Sequence, residues 1–189
     1  METRVCAPSA IVGGFFMVVL LRLEKIMKTH TALKKLTLAA MCMALYCVVI
    51  YFTQSFAFGA YQIRIATAIY SLGYFFPFLT VPMGLANAIS NMIMGGLGVF
   101  DVLGGALAGI LTTGTCVLIG KLKFRGHRLL VALPVTLIPG LLVPVWLAPA
   151  LGMPYLPLAI SLVIGQIVPG VVGAAMVVIM ARYNIKKFF

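Results

Sequence analysis

The distribution of apolar residues divides the chain into long hydrophobic segments with short basic, glycine-rich or proline-rich connections. A helix that crosses the hydrocarbon core of a bilayer needs about 20 mainly apolar residues. The pattern predicts six membrane-spanning helices, and the second and third are short or broken because glycine and proline interrupt or close them. The predicted segments are residues 36–56, 65–76, 83–94, 102–119, 129–147 and 158–180.

Composition strengthens this prediction and narrows the class of protein. Of the 189 residues, 63% are hydrophobic and only 9% are charged, and the mean hydropathy is +1.16. These values lie far outside the range of soluble domains, so we expect an all-α integral membrane protein. The predicted spans leave no room for a soluble catalytic domain, and the cysteine spacing is not typical of metal ligands. We therefore expect neither an enzyme nor a metal site.

The basic residues cluster at three places that are separated by even numbers of predicted spans. They precede the first span at residues 28–35, follow the fourth at residues 121–128 and follow the sixth at residues 182–187. Basic loops concentrate on the cytoplasmic side of membrane proteins, so both termini are predicted to be cytoplasmic. This topology and anionic lipid head groups explain the net charge of +11, and we do not expect nucleic-acid binding.

The first 27 residues form a separate N-terminal extension. Their apolar run at residues 9–21 is too short to span a bilayer comfortably, and no small-residue cleavage site follows it. Two interpretations stay open, namely a start site assigned too far upstream, with Met27 as the alternative, and a peripheral helix. We expect residues 28–189 to form a single six-helix membrane domain.

Only two charged side chains, Arg64 and Asp101, lie between Lys35 and Lys121. Charges inside the hydrocarbon region are energetically unfavourable and usually mark a ligand or ion pathway. The predicted topology places both on the outer side. Asp101 follows a glycine cluster, and three roles stay open for it: pairing with Arg64, capping the fourth span and binding a polar ligand.

Amides and hydroxyls add to this polar set. Asn87, Ser90 and Asn91 share one helical face by their spacing. They either bond helix to helix, at about 0.6 kcal/mol on average, or face a substrate, and both interpretations stay open. The predicted substrate-binding residues are Gln62, Arg64, Thr67, Asn87, Asn91 and Asp101.

A pair of small residues, Ala40 and Ala44, lies near the cytoplasmic end of the first span. Such pairs let two helices approach closely in lipid. Packing within the bundle and contact with a partner subunit are both compatible with this spacing.

Three stretches of the sequence resemble the substrate-binding S components of energy-coupling factor (ECF) transporters. Residues 34–44 are similar to the first helix of that family, with Ala40 and Ala44 as its AxxxA pair. The sequence FGAYQIRI at residues 58–65, and the stretch from Asn87 through GGLGVFDV at residues 95–102 to GGALA at residues 104–108, resemble the QueT branch. That branch is associated with uptake of queuosine precursors. The resemblance covers residues 33–187.

The resemblance implies a six-helix S-component-like bundle in the plasma membrane of a prokaryote. Such a bundle captures a small planar heterocycle, for example a 7-deazaguanine base, from outside. It then docks on a module of one coupling subunit, contacted by Ala40 and Ala44, and two ATPase subunits. Those partners bind ATP, so this chain needs no cofactor of its own.

One departure from the QueT pattern concerns the ligand. The pattern places a glutamate three residues after the arginine, where this chain has Thr67. Loss of that carboxylate favours a neutral base over a cationic precursor and leaves Asp101 as the only acid in the predicted site. A related ligand of another kind also stays open.

A self-sufficient secondary transporter is the main alternative. Asp101 would then be the group that couples uptake to a proton or an ion, and the short, interrupted segments also suit such a carrier. Activity that persists without partner subunits would distinguish this alternative.

Overall fold

The computed structural model describes residues 8–57, 62–95, 98–123 and 126–182. These residues form helices and short connections, with no strand among them. The α-helices in these ranges are α1 (Pro8–Ala57), α2 (Thr80–Ser90), α3 (Val99–Gly120), α4 (Ala132–Leu142), α5 (Pro144–Leu151) and α6 (Tyr155–Arg182). Tighter 3₁₀ helices occupy Ile65–Tyr74, Pro77–Leu79 and Leu129–Val131, and a π-helix occupies Asn91–Gly95.

Four stretches of the described residues are long and apolar enough to cross a membrane. They are Ala32–Ser55, Val99–Gly120, Leu129–Leu151 and Tyr155–Arg182. The all-helical prediction is therefore confirmed, and four of the six predicted spans have the length and composition that a membrane crossing needs.

The second and third predicted spans are the two exceptions. The second is the 3₁₀ helix Ile65–Tyr74, and the third is α2 continued by the π-helix Asn91–Gly95. Pro77 lies in the connection between them. Both segments are short, as their glycine and proline content predicts.

The chain divides into two units, one within residues 1–37 and one within residues 38–188. In the first unit, the Thr37 hydroxyl donates a hydrogen bond to the Leu33 carbonyl, one turn earlier in α1, over 2.9 Å. The second unit is the helical bundle described below. The predicted boundary at residue 27 lies within the first unit and stays a prediction.

The core of the bundle joins α1 to the 3₁₀ helix Ile65–Tyr74. Tyr46 and Tyr70 stack with ring centroids 5.4 Å apart, and the Tyr70 hydroxyl donates to the Tyr46 hydroxyl over 2.8 Å. Ile50, Leu79 and Met83 pack in the same cluster without exposed surface. This packing fixes the 3₁₀ helix against the long first helix, and with it the residues at its start.

Helix α3 defines two opposite ends of the bundle. Asp101 lies in its first turn, and Lys121 follows its last residue, Gly120. A Cβ atom at Gly120 would lie 2.5 Å from the Tyr74 carbonyl oxygen, so the 3₁₀ helix Ile65–Tyr74 ends beside the end of α3. The residues before that helix, including Arg64, therefore lie at the opposite end from Lys121.

Candidate substrate-binding site

Arg64 lies in a non-helical connection, residues 62–64, just before the 3₁₀ helix Ile65–Tyr74. Gln62 in this connection has a φ of 42°, a left-handed conformation that residues other than glycine adopt only when their surroundings enforce it. The Arg64 carbonyl accepts a hydrogen bond from the Thr67 backbone N–H over 2.9 Å. Arg64 is only 5% exposed, so its side chain points into the bundle and is not an interfacial anchor.

The Arg64 guanidinium is held by the amides of α2 and the π-helix. Its Nη1 donates to Asn87 Oδ1 over 3.3 Å and to Asn91 Oδ1 over 3.1 Å. Its Nε donates to the carbonyl of Ala57, the last residue of α1, over 3.4 Å. Because several partners surround it, the buried charge is solvated by the protein.

The two asparagines continue this network to α3. Asn87 Nδ2 donates to the Gly105 carbonyl over 2.8 Å, and Asn91 Nδ2 donates to the Asp101 backbone carbonyl over 3.0 Å. Each amide therefore accepts from Arg64 with its oxygen and donates to α3 with its nitrogen. Ser90 is buried on the same face and donates to the Asn87 carbonyl over 2.9 Å. The helical face predicted from the sequence is thus turned inward, where its amides join Arg64 to α3.

Glycine in α3 permits this close approach. A Cβ atom at Gly105 would lie 2.5 Å from Asn91 Nδ2 and 3.1 Å from Asn87 Oδ1. Those distances are too short for a methyl group, so the asparagines reach the α3 backbone only because Gly105 has no side chain.

Asp101 is 2% exposed and lies next to this network. Trp146 Nε1 donates to Asp101 Oδ1 over 3.3 Å, whereas Oδ2 has no hydrogen-bond partner in the part of the chain that the structure describes. The hydrogen-bonded link from Arg64 runs through Asn91 to the Asp101 backbone carbonyl, and pairing of the two side-chain charges stays a prediction. No side chain caps the start of α3 at Gly98.

A second branch of the network reaches α6. The Thr67 hydroxyl lies 2.7 Å from the Arg64 carbonyl oxygen and 2.8 Å from Gln166 Oε1, and its single proton serves one of them at a time. Gln166 Nε2 donates to the Gln62 carbonyl over 2.9 Å. This bond holds Gln62 in its left-handed conformation, and Thr67 connects that branch to Arg64.

The structure therefore brings all six predicted residues to one end of the bundle, and every one of them is buried. A guanidinium, two amides and a carboxylate thus lie together in the apolar interior, and a few polar groups of this kind in an apolar pocket are typical of small-molecule sites. The motif residues 58–61 and 96–97 lie outside the described residues.

Two residues of this network were not predicted from the sequence. Gln166 is a lone amide within a long apolar helix, and that was the signal available to find it. Trp146 is the only tryptophan and lies near a helix end, a position typical of a membrane-interface residue. Its contact with Asp101 depends on the packing of α5 against α3.

The predicted pair Ala40 and Ala44 lies on a face of α1 that the rest of the bundle does not cover. Its exposed neighbours on the same helix include Met41, Leu45 and Phe52. Packing of this pair within the described bundle is thereby excluded, so the face is available to lipid or to another protein.

Long apolar helices around a buried cluster of polar and charged side chains are typical of a membrane transport protein. Comparison with known families makes this class specific. Residues 36–182 match the model of the QueT transporter family, and the chain belongs to that family. Neither a curated protein nor a solved structure matches it.

Proposed function

We propose that this chain is the substrate-binding S component of an ECF-type importer for a small planar heterocycle, a queuosine precursor such as a 7-deazaguanine base. Membership of a transporter family supports the general role. The observation that carries the proposal is the buried network that joins Arg64, through Asn87 and Asn91, to α3 beside Asp101. Buried polar groups of this kind in a membrane bundle mark substrate sites.

The ligand would bind to the six residues of this network. A purine-like ring presents both hydrogen-bond donors and acceptors at its edges, and it would replace some of the bonds that the guanidinium and the amides now make within the network. Because all six residues are buried, the ligand reaches them only when this end of the bundle opens. The closed bundle then isolates the ligand from solvent, which favours tight binding.

The same proposal assigns the topology. Six segments cross the bilayer, the two short ones as broken helices beside the site, and both termini are cytoplasmic. The basic residues Lys121, Arg128 and Arg182 then face the cytoplasm, and the site opens to the outside of a prokaryotic plasma membrane. Their position at the end opposite Arg64 supports this orientation.

Transport would depend on partner subunits. The exposed face of α1 that carries Ala40 and Ala44 would bind the coupling subunit, because its small residues let a partner helix approach closely. ATP would be bound by two ATPase subunits, and this chain would hold no cofactor.

Uptake measured in cells with and without an ECF module tests this proposal. A radiolabelled 7-deazaguanine should accumulate only when both the chain and the module are expressed, and Arg64→Ala should abolish accumulation. Thermal unfolding of the detergent-purified chain provides the matching binding assay, since a ligand that binds the folded state raises its stability.

A self-sufficient secondary transporter is the second candidate, and the buried Asp101 favours it as a coupling group. Uptake that persists without the module and responds to pH or Na⁺ would support this candidate and contradict the first. Ligand stabilisation without any uptake in either strain would leave a binding protein and would contradict both transport proposals.

A further inference from the structure

Among the described residues, only one of the two Asp101 carboxylate oxygens has a hydrogen-bond partner. Oδ1 accepts from the Trp146 indole over 3.3 Å, and Oδ2 has no partner among the described residues although the side chain is almost fully buried. A buried carboxylate oxygen without a donor is strongly unfavourable. Such an oxygen calls for an explanation, and a donor on a bound ligand would provide one.

The indole holds the carboxylate in one orientation. A Cβ atom at Gly104 would lie 2.5 Å from Trp146 Cε2 and 2.6 Å from Cζ2, so the ring lies directly against the α3 backbone where glycine leaves room for it. Trp146 Nε1 can donate only one hydrogen bond, and that bond goes to Oδ1. This bond restrains the plane of the carboxylate, so the second oxygen has a defined position.

The charge balance of the network decides what kind of donor fits Oδ2. Arg64 and Asp101 have opposite formal charges, and Asn91 links the Arg64 guanidinium to the Asp101 backbone carbonyl. They are also the two charged residues between Lys35 and Lys121 in the sequence, so their formal charges sum to zero. A protonated amine next to Oδ2 would leave one positive charge without a counter-ion in a low-dielectric interior, whereas an uncharged N–H group would satisfy Oδ2 and keep the balance.

We infer that Asp101 Oδ2, oriented by Trp146, accepts a hydrogen bond from an uncharged N–H group of the substrate, so that this protein selects a neutral heterocycle over the same ring with a protonated amine. This inference rests on the proposed function. It adds a specificity role for Asp101 and a positioning role for Trp146, which does not itself contact the ligand.

Trp146 provides the assay, because it is the only tryptophan and touches the carboxylate in question. Two probes share the 7-deazaguanine ring, one with an uncharged nitrile at position 7 and the other with an aminomethyl group, which is cationic at pH 7. Each is titrated into the full-length chain in detergent while Trp146 emission and thermal unfolding are followed.

We expect the nitrile compound to change Trp146 emission and to bind about tenfold or more tightly than the aminomethyl compound, as expected for a hydrogen bond to a charged group formed without a second positive charge. Asp101→Asn should lower the affinity for the neutral probe about tenfold and abolish the preference. Trp146→Phe should lower the affinity for the neutral probe by a smaller factor, because the carboxylate is still present and only its hydrogen bond to the indole is lost.

Thr112→Val is the matched control. Thr112 lies in the same helix, is fully buried, and its hydroxyl has no hydrogen-bond partner in the described part of the chain. Loss of this hydroxyl should leave the affinities for the nitrile and the aminomethyl probe unchanged. If Asp101→Asn does not fold, the comparison of the two probes on the unaltered chain and on Trp146→Phe still decides the question.

The outcomes separate the inference from the proposed function. Equal binding of both probes, or tighter binding of the cationic one, overturns the inference and leaves the deazaguanine assignment intact. Failure of both probes to bind overturns the deazaguanine assignment and the inference with it. If Asp101→Asn still prefers the neutral probe over the cationic one, the specificity role of Asp101 is overturned, whereas the deazaguanine assignment stands.

Discussion

Arg64 Nη1 and Asn91 Oδ1 are 3.1 Å apart, and the nitrogen of the same amide donates to the Asp101 backbone carbonyl over 3.0 Å. One side chain thus carries the link from a buried cation in the connection after α1 to the first turn of α3. The position of Arg64 and that of α3 are therefore coupled through Asn91.

A double-mutant cycle measures this coupling. Arg64→Ala leaves the Asn87 and Asn91 oxygens without their donor, and we expect a loss of about 1–3 kcal/mol for each unsatisfied buried group. Asn91→Ala removes the same bond from the other side. The two losses should be non-additive by about 0.5–3 kcal/mol, measured by unfolding in detergent, whereas additive losses would show that the bond does not couple the two segments.

Gly105→Ala should destabilise the protein and abolish ligand binding, because the new methyl group would displace the asparagine amides from α3. Gly114→Ala in the same helix is the matched control. Its Cβ atom would lie 3.7 Å from the nearest atom, Thr80 Cγ2. It should therefore be neutral or stabilise the helix by up to about 1 kcal/mol. Melting temperatures and ligand titrations of both variants check this pair, and equal behaviour would contradict the close approach at Gly105.

Gln166→Leu should destabilise the bundle by about 1–3 kcal/mol, because it removes the donor to the Gln62 carbonyl and a partner of Thr67. Gln62→Gly keeps the backbone carbonyl and suits the left-handed conformation, so its stability should stay within about 1 kcal/mol of the unaltered chain. Unfolding in detergent compares the two. A greater loss in Gln62→Gly would place the important contact in the Gln62 side chain.

Replacement of Ala40 and Ala44 by leucine should leave stability and ligand binding almost unchanged, since exposed substitutions usually change stability by about 0.5 kcal/mol or less. If the proposed coupling subunit binds this face, the variant should abolish uptake, because the larger side chains would prevent its close approach. Co-purification with the ECF module and uptake in cells provide the measurements.

Ala175→Leu adds the same side chain to an exposed position of α6 and serves as the control for the α1 face. Uptake should persist in this variant. Normal uptake in the double α1 variant would place the partner surface elsewhere.

The sequence by itself determined the class of protein and the location of its polar residues. Apolar runs of membrane-spanning length are a local property, as are the glycines and prolines that shorten the second and third segments. Arg64 and Asp101 could be identified as candidates because a charged side chain within an apolar membrane segment is energetically unfavourable and usually has a function. The spacing of Asn87 and Asn91 also fixed their common face, since helical periodicity is local.

Only the tertiary structure decided which groups contact each other. The sequence identified Asn91 as a candidate. Its role as the link between Arg64 and α3 depends on Gly105, a residue of a different helix that leaves room for the Asn91 amide. Gln166 and Trp146 lie more than 40 residues from their partners along the chain, so no local pattern connects them to the site. Contacts of this kind arise from how whole helices pack, and packing depends on all their side chains together.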